Sequence, residues 1–360
     1  MNILFVRLSY IGDILHATAA ARWIKQQYPN AKLHWIVTPS MAELLEHNPY
    51  VDYIIPWERD EYEAQSKKLH LRTMWNMWWD LRKRLKPYQF DIAVDVQGRL
   101  ITGLVLLASG APIRLGLGGT KELNWLFTNY KSKDRSKHVI EQYLDVAKLL
   151  PGALNKKIIP VETENMELMD LIVTDEEQQQ AKSEVETAYR EKDRPLIGLV
   201  LGSSWQTKSW PHEKWQQLID SLAYRSNFIC FGGSKEAQEF KDLMQHVEKE
   251  DLPVYNKLGK TTLREMAALL GECDVIVACD TGALHMAVAL QRPVIALFGP
   301  TNPAEWGPLT GRTYKVLQNH DMDCLGCRKR KCPKGKSYCM SGIDSVMVKE
   351  HIIELIGTKG

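Results

Sequence analysis

The chain has no charge surplus to offer a polyanion: 46 Lys and Arg stand against 44 Asp and Glu, for a net charge of +2. The global basic field that favours nucleic acid is therefore missing. Long hydrophobic runs are missing too. The longest, near Leu100 to Ala108, is far short of the roughly 20 residues a membrane-spanning helix needs. No short repeat period is present. No secretion signal is visible either, because Arg7 breaks the first apolar stretch too early for a signal core. Seven cysteines without an export signal point to a reducing compartment rather than a disulfide framework, so a cytoplasmic location is expected. What remains is ordinary soluble globular composition, 44% hydrophobic and 25% charged. At 360 residues the length suits two domains, each with its own core.

Asn2 to Val6 reads as a first strand, Arg7 to His16 as a turn containing Gly12 and Asp13, and Ala17 to Gln27 as a helix ending before Pro29. Strands at Leu33–Val37, Tyr53–Ile55 and Asp91–Asp95 follow, with a helix through Leu45. Strands alternating with helices imply right-handed βαβ units and a parallel sheet. One amphipathic helix is expected over Lys67 to Lys86, with Leu71, Met74, Trp75, Trp78, Leu81 and Leu85 on its apolar face. Seven basic residues there oppose one acid, Asp80. Such a helix packs on a sheet with a solvated back, and its Trp79 and Met77, off the packed stripe, suit contact with anionic lipid. From about Glu162 to Arg194 the chain turns strongly polar. The domain boundary is placed there: residues 1–170 as an N-terminal domain, 171–195 as linker, 196–340 as a second domain. Residues 341–360 form a last helix, with the first domain as one surface for it to pack on. A second strand series runs through Leu196–Leu201, Phe228–Phe231, Val275–Ala278 and Val294–Phe298. Two doubly wound α/β domains in tandem, facing a central cleft, is the architecture these patterns predict.

Asp274 to Ala278 is apolar enough for a buried parallel strand, and Met286 to Leu290 suits a helix. Between them, Cys279-Asp280-Thr281-Gly282-Ala283-Leu284-His285 makes a tight turn that aims backbone N–H groups and a helix dipole at one point. Thr281 adds a hydroxyl, Gly282 permits close approach, and His285 lies one turn in. These parts suit a phosphate. The competing reading is that Asp280 or Thr281 caps the helix. Gly202-Ser203-Ser204-Trp205-Gln206-Thr207-Lys208 also follows a strand, so Ser203, Ser204 and the Lys208 ammonium are candidates for a diphosphate. Glu236, in a third loop on the same edge, is a candidate for a ribose hydroxyl, the competing reading being an exposed loop acid. In the first domain Asp13 is either a first-turn acid or a general base. Cys324, Cys327, Cys332 and Cys339 have the spacing C-x2-C-x4-C-x6-C. Four thiolates suit zinc, but the spacing matches no common zinc ribbon, and six basic residues crowd the segment. Reduced thiols in a basic loop, and no metal, are expected.

Assembled, these residues resemble the ADP-heptose:lipopolysaccharide heptosyltransferases of glycosyltransferase family 9, over nearly the whole length. The most specific part is Asp280 to His285 with Ala287, Pro293 and Phe298-Gly299-Pro300-Thr301. Ile11-Gly12-Asp13-Ile14-Leu15-His16, Thr207-Lys208-Ser209-Trp210-Pro211 and the tail Cys339-Met340-Ser341-Gly342-Ile343 support it. The resemblance implies a GT-B fold and inverting transfer of a heptose from ADP-heptose to lipid A-Kdo or a core oligosaccharide, at the inner face of the cytoplasmic membrane, with no cofactor. It implies Asp13 as base, Lys208 on the diphosphate, and Ser203 and Ser204 where family members often carry threonines. It also implies Asp280, Thr281, Gly282 and His285 as the donor motif. The basic tryptophan helix departs from the family's pattern. The rivals are a GT-B transferase or epimerase using another nucleotide sugar, and a non-catalytic sugar-nucleotide sensor at the membrane.

Overall fold

The structure, a computed structural model, describes residues 1–120, 122–133, 138–158, 169–189, 191–309 and 313–357. It divides into two compact units, Met1–Ile172 and Val173–Gly360.

In the first unit six strands form one parallel sheet: β1 (Asn2–Val6), β2 (Lys32–Val37), β3 (Tyr53–Pro56), β4 (Ile92–Asp95), β5 (Ile113–Gly116) and β6 (Tyr130–Lys131). Their spatial order is β3-β2-β1-β4-β5-β6. Ile3 to Val6 are fully buried because helices cover both faces, which is why the run is continuously apolar. The order reverses between β1 and β4, and ligands of open α/β sheets bind in the crevice at the carboxyl ends of such a pair. There β4 ends in Asp95, beside Val6. Asp95 is wholly buried, and its carboxylate accepts from the N–H of Gln97 (2.8 Å) and Gly98 (3.0 Å), the Thr102 hydroxyl (2.7 Å) and the Asn124 amide (2.8 Å). Burial pushes its pKa up despite these four donors.

Helix α1 (Ile11–Gln27) begins six residues earlier than the sequence pattern implied. Tyr10, at φ 69°, makes the turn, and the Ile14 N–H already reaches the Tyr10 carbonyl at 3.0 Å. The expected basic helix over 67–86 is α3 (Leu71–Leu85), which starts four residues later than expected; a separate helix, α2 (Arg59–Lys67), precedes it, and Leu69, at φ 56°, makes the break between them. Only Leu81 and Leu85 of α3 are buried. Leu81 and Leu85 are buried in the core with Leu4, Val6 and Val105, and Met74, Met77 and Trp78 pack against its edge. The Trp78 indole N–H donates to the Leu104 carbonyl of α4 (Leu100–Ser109) at 2.9 Å. Leu71 and Trp75, expected on the packed face, are 71% and 59% exposed.

The second unit repeats the topology: β7 (Leu196–Val200), β8 (Asn227–Phe231), β9 (Val254–Asn256), β10 (Val275–Cys279), β11 (Val294–Leu297) and β12 (Tyr314–Leu317), all parallel, in the order β12-β11-β10-β7-β8-β9. Its switch point lies between β7 and β10. Helix α5 (His212–Leu222) buries Trp215 against Trp210, ring centroids 4.8 Å apart.

The polar stretch, expected to hold a helix and a linker, carries a packed helix, though residues 159–168 and 190 lie outside the described residues. Helix α6 (Asp175–Ala188) starts in a capping box between Thr174 and Glu177 and lies against α7 (Leu263–Glu272). Glu177 also takes the Arg264 guanidinium of α7, with one contact at 2.6 Å. This pairing holds the Glu177 carboxyl at about 2, against its ordinary 4.5. A carboxyl lowered in the folded state stabilises above its unfolded value and loses that contribution as pH falls through the folded one. Acid unfolding of the parent protein between pH 4.5 and about 2 should therefore be steeper than that of Glu177→Gln; equal slopes in a circular-dichroism titration would contradict this. The last helix, α8 (Ser345–Gly357), packs on α5, β10 and β11 of its own unit through Val348, Ile352 and Leu355.

Candidate functional site

At the switch point of the second unit, parallel pairing sets the carboxyl ends of β7 and β10 side by side. The chain leaves β10 through Asp280 and Thr281 into helix α9 (Gly282–Ala289), which lies between α7 and α8 in sequence. Thr281 occupies the cap position, yet its side chain makes no cap hydrogen bond, and its buried hydroxyl has no partner among the described residues. Asp280 does not cap either. Its Oδ2 accepts from the Lys208 ammonium at 2.7 Å, and its Oδ1 lies 3.7 Å from His285 Nε2. Burial works against its charge, but His285 and Lys208 outweigh burial and hold the carboxyl well below the usual carboxylate range. The structure thus unites Lys208, Asp280 and His285, with Asp280 holding the other two in place.

Lys208 closes a short turn of 3-10 helix, Gln206–Lys208, in the loop after β7. That loop starts at Gly202, at φ +76°, and a Cβ there would meet Glu236 Cγ at 2.5 Å. Glycine is needed for both the dihedral and the approach. The same approach brings Glu236 to the loop, while its Oε2 accepts the Gly233 N–H at 2.9 Å. Ser203 is buried and Ser204 exposed. Thr301, in the loop after β11, also has a buried hydroxyl without a partner among the described residues. It was not among the predicted site residues, although the Gly299-Pro300-Thr301 turn was legible. Among the described residues no three of His, Cys, Asp and Glu are placed to hold a metal ion, and the four cysteines of the basic segment are free thiols.

In the first unit Asp13 sits in the first turn of α1, where a helix dipole favours a carboxylate. Its Oδ2 is ion-paired with Arg7 Nη2, and its Oδ1 accepts the Tyr143 hydroxyl at 3.3 Å. Arg7 is buried just past β1, with Nη1 3.4 Å from the Val96 carbonyl and its guanidinium 5.5 Å from the Tyr143 ring centroid. Burial disfavours the Arg7 charge, but Asp13 more than compensates and its pKa is raised. Burial, with Asp13 accepting its proton, raises Tyr143 as well. The result is a carboxylate held in one orientation by two partners. Sequence reasoning missed both partners. The signal for Arg7 was present: a cation directly after a fully apolar strand must find a buried counter-charge.

The sequence model of glycosyltransferase family 9 (heptosyltransferase) matches residues 78–338. Lipooligosaccharide heptosyltransferase 2 of Haemophilus influenzae is 26% identical over 363 residues, covering 99% of each chain. Lipopolysaccharide heptosyltransferase 1 of Pseudomonas aeruginosa is 26% identical, covering 92% of this chain and 87% of that one. Among solved structures, the ADP-heptose lipopolysaccharide heptosyltransferase II of Escherichia coli superposes with a TM-score of 0.77 at 23% identity, covering 100% of this chain and 99% of that one. Heptosyltransferase WaaC of E. coli, solved with ADP, gives 0.72 at 23% identity, with 99% and 100% covered. The paired Rossmann-like units are those of the GT-B fold. The chain is a glycosyltransferase and belongs to family 9, the heptosyltransferases.

Proposed function

We propose that the protein moves a heptose from ADP-heptose to a hydroxyl of the lipopolysaccharide inner core, on lipid A-Kdo or an existing heptose, with inversion at the anomeric carbon. The observation that carries this reading is the Lys208–Asp280–His285 cluster at the β7/β10 switch point, together with the Thr281 hydroxyl, which has no partner among the described residues. The names of the relatives, lipopolysaccharide and lipooligosaccharide heptosyltransferases, support the same substrates.

In this mechanism the acceptor oxygen attacks the anomeric carbon and the bond from that carbon to the diphosphate breaks. The hydroxyl proton passes to Asp13. Lys208, His285, the Thr281 hydroxyl and the N–H groups at the start of α9 receive the charge that develops on the departing ADP. Fixed donors of this kind usually contribute the largest share of rate enhancement. Ser203 and Ser204 add hydroxyl and N–H donors, Gly282 admits the phosphate, and Glu236 takes a ribose hydroxyl. Titrations with ADP and UDP test the donor: ADP should bind at least about tenfold more tightly, the scale of discrimination buried polar contacts give. Selectivity for UDP would sink the heptose reading.

A lipid-linked acceptor supports a position at the inner face of the cytoplasmic membrane, and the α2–α3 hairpin suits that surface. Leu69, Leu71, Trp75 and Trp79 are exposed there, interleaved with exposed Lys67, Lys68, Arg72 and Lys83. Trp75→Ser with Trp79→Ser should weaken co-sedimentation with phosphatidylglycerol vesicles severalfold while leaving ADP affinity unchanged. Equal binding of the variant, or equal binding of the parent to purely zwitterionic vesicles, would contradict the assignment.

A further inference from the structure

The basic segment between Cys324 and Cys339 has no part in the mechanism above, yet it is fastened to the donor loop. The Gly326 N–H donates to the Gly299 carbonyl at 3.0 Å, and the Arg328 N–H to the Pro300 carbonyl at 2.6 Å. The Thr207 hydroxyl, one residue before Lys208, donates to the Lys329 carbonyl at 3.0 Å. Two of the segment's cations are neutralised locally, Arg328 by Glu305 and Lys334 by Asp323. Arg330 is not: among the described residues no carboxylate is paired with it. Instead its guanidinium lies 5.0 Å from the ring centroid of Trp205, and the Lys208 ammonium lies 4.6 Å from the same centroid. One indole therefore holds two cations at the mouth of the loop.

Charge balance gives this arrangement a purpose. Lys208 and Asp280 form a buried pair whose charges cancel, so the pair offers donors but little net positive potential toward a diphosphate. Arg330 supplies the uncompensated charge. Stacking on Trp205 also fixes a long side chain that would otherwise lose its freedom when it bound, and a planar guanidinium matches phosphate oxygens two at a time. Resting on the reading of the Lys208 loop as a nucleotide-sugar site, we infer that Arg330 is a second cation for the donor's diphosphate, held beside Lys208 by Trp205.

Calorimetric titration of the full chain with ADP tests this, comparing the parent with Arg330→Gln, Arg330→Lys and Lys208→Ala. Arg330→Gln should weaken ADP binding about tenfold, as loss of a charged hydrogen-bond partner does. The deficit should shrink as salt is raised, and Arg330→Lys should recover part of it. Because Arg330 is exposed, the thermal unfolding midpoint without nucleotide should stay unchanged. Arg330→Gln binding ADP as the parent does, where Lys208→Ala binds weakly, would overturn the role of Arg330 and leave the Lys208 loop as the diphosphate site. A deficit that is independent of salt, or matched by a lower unfolding midpoint, would also overturn it. A parent protein that fails to bind ADP would overturn both readings.

Discussion

Asp13→Asn is expected to lower the rate of heptosyl transfer by about two to four orders of magnitude, the range general bases contribute, with ADP affinity nearly unchanged. The amide keeps the shape of the carboxylate and accepts from Tyr143, but it cannot take a proton. Asparagine is a cleaner probe than alanine because of Arg7. Asp13 is the counter-charge of a guanidinium only 7% exposed. Either change removes the counter-charge, and breaking a buried pair costs about 3–5 kcal/mol, but asparagine keeps one acceptor oxygen and the side-chain volume where alanine keeps neither, so Asp13→Asn has the better chance of staying folded. Single-turnover rates and ADP titrations on folded Asp13→Asn decide the matter. A rate within about tenfold of the parent would remove Asp13 from the role of base, since that is below the range cited.

Lys208→Met is expected to raise the ADP dissociation constant by about tenfold to a hundredfold, the equivalent of about 1.5–3 kcal/mol for a hydrogen bond to a charged group. Part of that effect arises indirectly. Removing the ammonium leaves the Asp280 carboxylate, 7% exposed, facing the incoming phosphates with only His285 beside it. Adding Asp280→Asn to Lys208→Met should therefore recover some affinity, although Asp280→Asn alone should weaken binding by releasing both Lys208 and His285. Such non-additivity is the signature of residues in contact. If the two changes simply add, Asp280 and Lys208 act independently and the cluster is not a unit.

Much of this was legible in the sequence because it depends on local pattern. The continuous apolar runs at Ile3–Val6 and Val275–Cys279 read as strands covered on both faces, and strands stand at both places. Edge strands were harder to see. β6 is two residues long, while β9 and β12 are half-exposed and lack an apolar run. The start of α1 was obscured because Ile11-Gly12-Asp13 resembles a turn. Its helical geometry is set by Tyr10 at positive φ and by the burial of Gly12 and Ile14, which are tertiary facts. The same holds for Tyr143, which reaches Asp13 from 130 residues away, and for Arg330, whose relation to Trp205 appears only once Thr207 ties the two segments together. The stripe on α3 misled for a related reason. Helical spacing fixed which residues share a face, but α4 covers only part of that face, so Leu71 and Trp75 stay outside.

The most direct test of the proposed activity is product analysis after incubating the purified protein with ADP-heptose and a lipid A-Kdo or heptosylated core acceptor. The account predicts an acceptor one heptose heavier, with inverted anomeric configuration by NMR and one ADP released per transfer. Asp13→Asn should bind the donor and form almost no product. Transfer from a UDP-sugar instead, retention at the anomeric carbon, or tight ADP-heptose binding with no turnover across these acceptors would contradict it.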